Sequence, residues 1–170
     1  NTYSNFYKNY LWDFVENLKE KRIPRQDDSI QHFAIFLKKG TYEKEMLVIG
    51  ENKYSNNNSF IMSTHAEIDA LNKLKTKKNV NIKNNKFDLV VIRLSRTGKL
   101  GESRPCFHCL EKLENSNVKI RNVYYSSNDT IVKEKFNIMK DSDKTIYCSG
   151  YRQNMRKLKR PVDKFVYLNK

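Results

Sequence analysis

Two stretches decide how this chain reads: Thr64-His65-Ala66-Glu67-Ile68-Asp69-Ala70-Leu71 and, further along, Pro105-Cys106-Phe107-His108-Cys109-Leu110. In the first, Ala66, Ile68, Ala70, Leu71 and Leu74 recur at helical spacing, so His65 and Glu67 lie at a helix start, where the macrodipole favours a carboxylate. Thr64 with Glu67 three residues on suits a capping box. The second stretch also opens a helix, running through Leu110 and Leu113, with Pro105 suited to its first turn. A helix start lowers thiol pKa values and favours the thiolate that metals need.

Taken singly, His65 reads as a satisfied polar residue, Glu67 as a cap and Cys106-x-x-Cys109 as a weak signal. Together, one imidazole and two thiolates make three zinc ligands with a fourth corner open. Structural zinc sites fill four corners with protein, whereas catalytic sites keep one for water. Zinc lowers the pKa of that water. Glu67, two residues from His65, is placed to take its proton and return it to a leaving group. His108 reads as packing or substrate-side, because ligation by neighbouring residues would crowd the helix start. Cys148, after Ile146-Tyr147, reads as a small buried apolar residue rather than a ligand, and His32 as a strand-edge residue.

Outward from these motifs, the periodicity of Phe6, Tyr10, Leu11, Phe14, Val15 and Leu18 predicts a helix over 2–22, closed by Pro24. His32–Leu37 and Met46–Ile49 predict an antiparallel hairpin around Gly40. The segment 54–59, Tyr-Ser-Asn-Asn-Asn-Ser, reads as a polar loop. Phe87–Leu94 is a β-branched-rich buried strand, and Val118–Tyr125 and Thr130–Phe136 predict two more. A basic helical pattern returns at Tyr151–Lys159. The order α, β-β, α, β, α, β-β predicts an α/β fold with one mixed sheet flanked by helices. It is expected to form one domain over 1–170, with a core at about 30–136 and a basic extension over 140–170.

The 170 residues carry 33 Lys+Arg against 19 Asp+Glu, a formal charge of +14. That balance points to an anionic partner: a nucleotide phosphate, or single-stranded DNA or RNA. Enrichment in Lys, Asn and Ile also fits A/T-biased coding. Three cysteines do not make a disulfide scaffold. No apolar run reaches the roughly 20 residues of a membrane helix, and no secretory signal is visible at Asn1–Asn5. The expectation is therefore an intracellular protein, cytoplasmic or nuclear, without a membrane partner.

His65-Ala66-Glu67 followed by Pro105-Cys106-x-x-Cys109 resembles the H-x-E…P-C-x-x-C signature of the zinc-dependent cytidine deaminase superfamily. Gly50-Glu51-Asn52 resembles that family's G-x-N at the end of the second strand, and Val123-Tyr124-Tyr125-Ser126 its strand after the cysteine helix. The likeness spans residues 30–135. It implies a three-layer cytidine-deaminase-like fold with a mixed five-stranded sheet, Zn2+ on His65, Cys106 and Cys109, and Glu67 as catalytic group. It further implies substrate contacts at Asn52, Ala66, Ser103 and Arg104, and conversion of cytosine to uracil in a nucleoside, nucleotide or single-stranded nucleic acid. The chain departs from the tRNA-editing and antibody-diversifying branches. Only a short turn separates Tyr125 from Thr130, so the last two core strands must be antiparallel. That resembles the nucleoside deaminases and some bacterial toxin deaminases. Two other readings remain: a catalytically idle deaminase-fold component of a larger assembly, and a structural zinc protein with His32, His108 or Cys148 as fourth ligand.

Overall fold

The computed structural model describes residues 12–17, 20, 31–38, 46–57 and 60–158. Its main sheet has five strands: β1 (Gln31–Lys38), β2 (Met46–Glu51), β5 (Lys86–Leu94), β6 (Lys119–Ser127) and β7 (Thr130–Lys135), in the order β2-β1-β5-β6-β7. β1 is antiparallel to both β2 and β5, and β5 runs parallel to β6. A parallel join needs a crossover, and helix α3 (Phe107–Glu114), which carries the cysteine pair, lies within it. β6 and β7 pair antiparallel from Asn122↔Lys135 to Ser127↔Thr130, as the short connection requires. Asn128 and Asp129 form the two-residue turn with φ of 47° and 59°. Positive φ at both positions is what a type I′ hairpin demands, and Asn and Asp tolerate it.

Side chains alternate across the strands. On one face Ala34, Phe36, Leu89, Val91, Val123 and Tyr125 pack under Ala66, Ala70, Leu71 and Leu74 of α2 (Ala66–Thr76) and Leu110 and Leu113 of α3. Both site helices therefore share a face. On the other face Phe33, Ile35, Leu37, Val90, Ile92 and Leu94 meet Trp12, Phe14 and Val15 of α1, helical over 12–17. Strands covered on both faces read as unbroken apolar runs, which is why 33–37 and 89–92 look alike in sequence.

Gly50 on β2 fixes the seat of α2. A Cβ there would lie 2.3 Å from Ala66 O and Ala70 N, so the helix backbone occupies the space that a side chain would need. Asp69 completes the seat: it accepts from Glu51 N at 3.0 Å and pairs with Lys53 at 2.9 Å and Lys73 at 3.1 Å.

Several expectations need correction. The segment read as a polar loop over 54–59 instead contributes to a hairpin, β3 (Lys53–Asn57) with β4 (Phe60–Thr64), a separate two-stranded sheet. Backbone pairing holds it without any apolar alternation in the Asn-rich strand. The last strand ends at Lys135, and Phe136 opens the short helix α4 (Phe136–Met139). The basic pattern becomes α5 (Ser149–Lys157). The rest of the helix expected over 2–22, apart from helical residue 20, and residues 159–170 lie outside the described residues. Among those described, no helix is long and apolar enough to cross a membrane.

Candidate active site

β4 ends at Thr64, and His65 follows in extended conformation (φ −71°, ψ 152°) as the N-cap of α2. No side chain caps this end, so the expected Thr64–Glu67 box does not form. Thr64 belongs to the hairpin, and Glu67 turns inward, where it is 6% exposed. In the same way Cys106, not Pro105, marks the boundary of α3: it is the N-cap (φ −75°, ψ 166°), and Pro105 stands one residue outside. Side chains at the N-cap and the third helical position meet at a helix end, so this placement brings Cys106 and Cys109 together.

The donor atoms converge. His65 Nδ1 lies 3.1 Å from Cys109 Sγ and 3.6 Å from Cys106 Sγ. All three donors fall within 4.8 Å of one another. A tetrahedral zinc with bonds near 2.0 Å to nitrogen and 2.3 Å to sulfur would set N···S separations at about 3.5 Å. The His65–Cys106–Cys109 set fits such an ion. Hydrogen bonds from the His65 ring to Cys106 and then Cys148 raise the His65 pKa to about 10 against the penalty of burial. Burial pushes the Glu67 carboxyl up from its ordinary value. Its Oε2 lies 3.8 Å from Cys109 Sγ, at the edge of the donor set. A carboxyl that holds its proton more tightly than usual is suited to relaying one near neutral pH.

The other expected site residues are placed as follows. Asn52 is buried; its Oδ1 accepts from His32 N at 3.1 Å, and its own N donates to His32 O at 3.3 Å, tying the β2–β3 junction to β1. Ala66, the first residue of α2, is buried. The Ser103 hydroxyl donates to Val91 O at 2.7 Å and lies 2.8 Å from Ser126 Oγ, between β5 and β6. Arg104 pairs with Glu134 at 2.8 Å and also donates to Thr145 Oγ1 and Met139 O. Glu134 in turn accepts from Tyr125 OH at 2.6 Å. The Ser103 and Arg104 side chains are thus engaged in holding the segment that delivers Cys106.

His32 opposes Arg93 across the β1–β5 register, outside the donor set, and burial with the Arg93 charge lowers its pKa to about 4. His108 packs against Tyr147 and Tyr151, with ring centroids 4.9 and 4.8 Å apart. Cys148 is half-buried rather than buried as expected, and stands outside the donor set. Its segment packs beside the start of α3, where Phe107 N donates to Ile146 O at 2.9 Å and the Tyr147 ring lies 5.3 Å from that of Phe107.

No protein-family model matches the chain, and no curated protein matches it. Among solved structures it is similar to a cytidine deaminase from Burkholderia pseudomallei. The two are 14% identical with a TM-score of 0.51, over 81% of this chain and 98% of that one. It is also similar to the dCMP deaminase of cyanophage S-TIM5, solved with dCMP and dUMP. There the identity is 18% and the TM-score 0.40, over 73% of this chain and 83% of that one. The fold is cytidine-deaminase-like.

Proposed function

We propose that this chain is a zinc-dependent hydrolytic deaminase that converts cytosine to uracil in a nucleoside, a nucleotide or a single-stranded nucleic acid. The observation that carries the reading is the buried Glu67 carboxyl at the edge of a three-donor set. A purely structural metal site has no use for a buried proton carrier. His65, Cys106 and Cys109 would hold the zinc ion. When bound, zinc supplies a Lewis acid that makes water acidic enough to lose its proton near neutral pH.

The residues then divide the work. Glu67 would accept the proton that water gives up as its oxygen bonds to the amino-bearing ring carbon, and deliver it to the exocyclic amine, which leaves as ammonia when the C–N bond breaks, so one carboxyl serves two transfers. Its burial excludes bulk water, which would otherwise short-circuit the relay. Asn52 and the backbone around Ala66, Ser103 and Arg104 are the groups offered to the substrate. The Ser103 and Arg104 side chains act as positioning residues through the bonds described above. The antiparallel β6–β7 hairpin supports a small-substrate preference, as in the nucleoside deaminases it resembles. The basic α5 beside the site supports an anionic substrate. The test is ammonia release from cytidine, deoxycytidine, dCMP, adenosine, and single-stranded DNA and RNA by the zinc-loaded protein. Release from at least one cytosine substrate is expected; release from adenosine alone overturns the choice of base.

A further inference from the structure

Strand register places a polar pair on the site face of the sheet. Ala34 and Val91 oppose each other across β1 and β5 and pack under α2 and α3. Gly50, opposite Ala34 on β2, lies against Ala66 at the first turn of α2, so the helix starts over this row. One row further, toward the carboxyl end of β5, His32 opposes Arg93. Alternation along the strands puts both on the face of Ala34 and Val91. They therefore stand just past the start of α2, on the side of His65. Ligands of α/β sheets bind outside this end of the strands.

Arg93 is half-buried there. Gly101 N donates to Arg93 O at 3.0 Å, and the arginine stem lies across that glycine: a Cβ on Gly101 would come 3.1 Å from Arg93 Cδ. The stem is thus cradled, but the guanidinium makes one long contact, from Nη1 to Glu102 O at 3.4 Å. The Glu102 carboxylate instead accepts from Ser127 Oγ at 2.6 Å. His32 brings no negative charge; burial and then the Arg93 charge lower its pKa to about 4. Arg104 and Arg121 pair with the carboxylates of Glu134 and Asp88. Among the described residues no carboxylate pairs with Arg93. A partly buried cation with most of its donors unspent is costly until an anion meets it. The planar fork of a guanidinium matches a phosphate in bidentate geometry. We propose that Arg93 binds a phosphate of the substrate, so that the site takes phosphate-bearing cytosines in preference to free nucleosides. The inference rests on the deaminase reading above and names its substrate class. A free nucleotide and a nucleic-acid strand both present such a phosphate, and the test separates them.

The test is calorimetric titration of the full, zinc-loaded chain with deoxycytidine, dCMP and a single-stranded oligodeoxynucleotide holding one cytosine. A phosphate-bearing ligand is expected to bind about 10- to 100-fold more tightly than deoxycytidine, the worth of a charged hydrogen bond. Arg93→Gln should abolish that advantage with zinc content unchanged. An advantage already present in dCMP marks a free nucleotide as the source; one confined to the oligonucleotide marks a strand. No advantage for either ligand overturns the inference, and ammonia release from deoxycytidine would then leave the deaminase reading standing. An advantage that survives in Arg93→Gln overturns the assignment to Arg93. Arg93-dependent binding without ammonia release from any cytosine substrate supports the phosphate site and removes the deaminase reading. Should Arg93→Gln not fold, phenylglyoxal labelling of the unmodified protein replaces it, read at Arg93 by peptide mass spectrometry. The phosphate-bearing ligand is expected to protect Arg93 where deoxycytidine does not. Equal labelling with the two ligands overturns the proposal.

Discussion

Replacing Gly50 by alanine should damage a site that Gly50 never touches. The added Cβ would lie 2.3 Å from Ala66 O and Ala70 N and 2.7 Å from Ala70 Cβ, all parts of α2 that no side-chain rotation can move. Restoring ordinary contact requires α2 and β2 to separate by about 1 Å, and overpacking of this kind costs about 1–3 kcal/mol. For a chain of this size each kcal/mol lowers Tm by about 2–4 °C, so a fall of about 2–12 °C is expected. Ala66 lies between His65 and Glu67, so the displacement carries both away from Cys106 and Cys109 across a gap of 3.1–3.6 Å. Metal sites tolerate about 0.2 Å, and zinc affinity should therefore fall along with stability. Calorimetry with zinc and with chelator, together with competitive zinc titration, reads both effects. An alanine variant with unchanged Tm and unchanged zinc Kd would refute the close packing of α2 on β2 as the feature that sets the site.

Cys106→Ser should lose stoichiometric zinc, and metal analysis after gel filtration checks it; full retention would mean that the donors are misassigned. The Glu134 carboxylate is penalised by burial, but Arg104 and Tyr125 outweigh that and hold its pKa below the ordinary 4.5. Its contribution to stability is therefore complete above pH 4.5 and lost as pH falls through the depressed value. Glu134→Gln should lower the urea midpoint near neutrality and lessen the loss on acidification; parallel pH profiles for the two proteins would contradict this. If the basic C-terminal residues track phosphates, single-stranded DNA binding should weaken with salt at a log–log slope of about −0.7 per neutralised phosphate. Changing Arg156, Lys157, Lys159 and Arg160 together to Gln should flatten that slope without altering zinc content. Absence of binding at low salt would leave a free nucleoside or nucleotide as substrate.

The parts of the fold that were legible in the sequence have local causes. β1 and β5 announce themselves because burial on both faces forces continuous apolar runs. The β6–β7 pairing follows from a connection too short for a crossover, with Asn128 and Asp129 supplying the positive φ of the turn. The donor set was legible because two ligand-bearing helix starts stand in order along the chain. The β3–β4 hairpin was not, since Ser55, Asn56 and Asn57 give no alternation and only backbone pairing defines the strand. The placement of the segment before α5 beside α3 was not legible either, since it depends on Ile146 O reaching Phe107 N, a contact between segments far apart in the chain. The positions of Ser103 and Arg104 were legible, but not their engagement with β5, β6 and Glu134, which needs the packed sheet.

The central claim is that Glu67 relays protons for a deamination at the His65–Cys106–Cys109 centre. Zinc-normalised turnover of Glu67→Gln against the unmodified protein, on the best cytosine substrate of the panel, tests it most directly. Gln keeps the size of the buried side chain and removes its proton chemistry. The account predicts full zinc content and a loss of at least about 10²-fold in ammonia release. Equal turnover in the two proteins, or no turnover in a fully zinc-loaded unmodified protein, would contradict it.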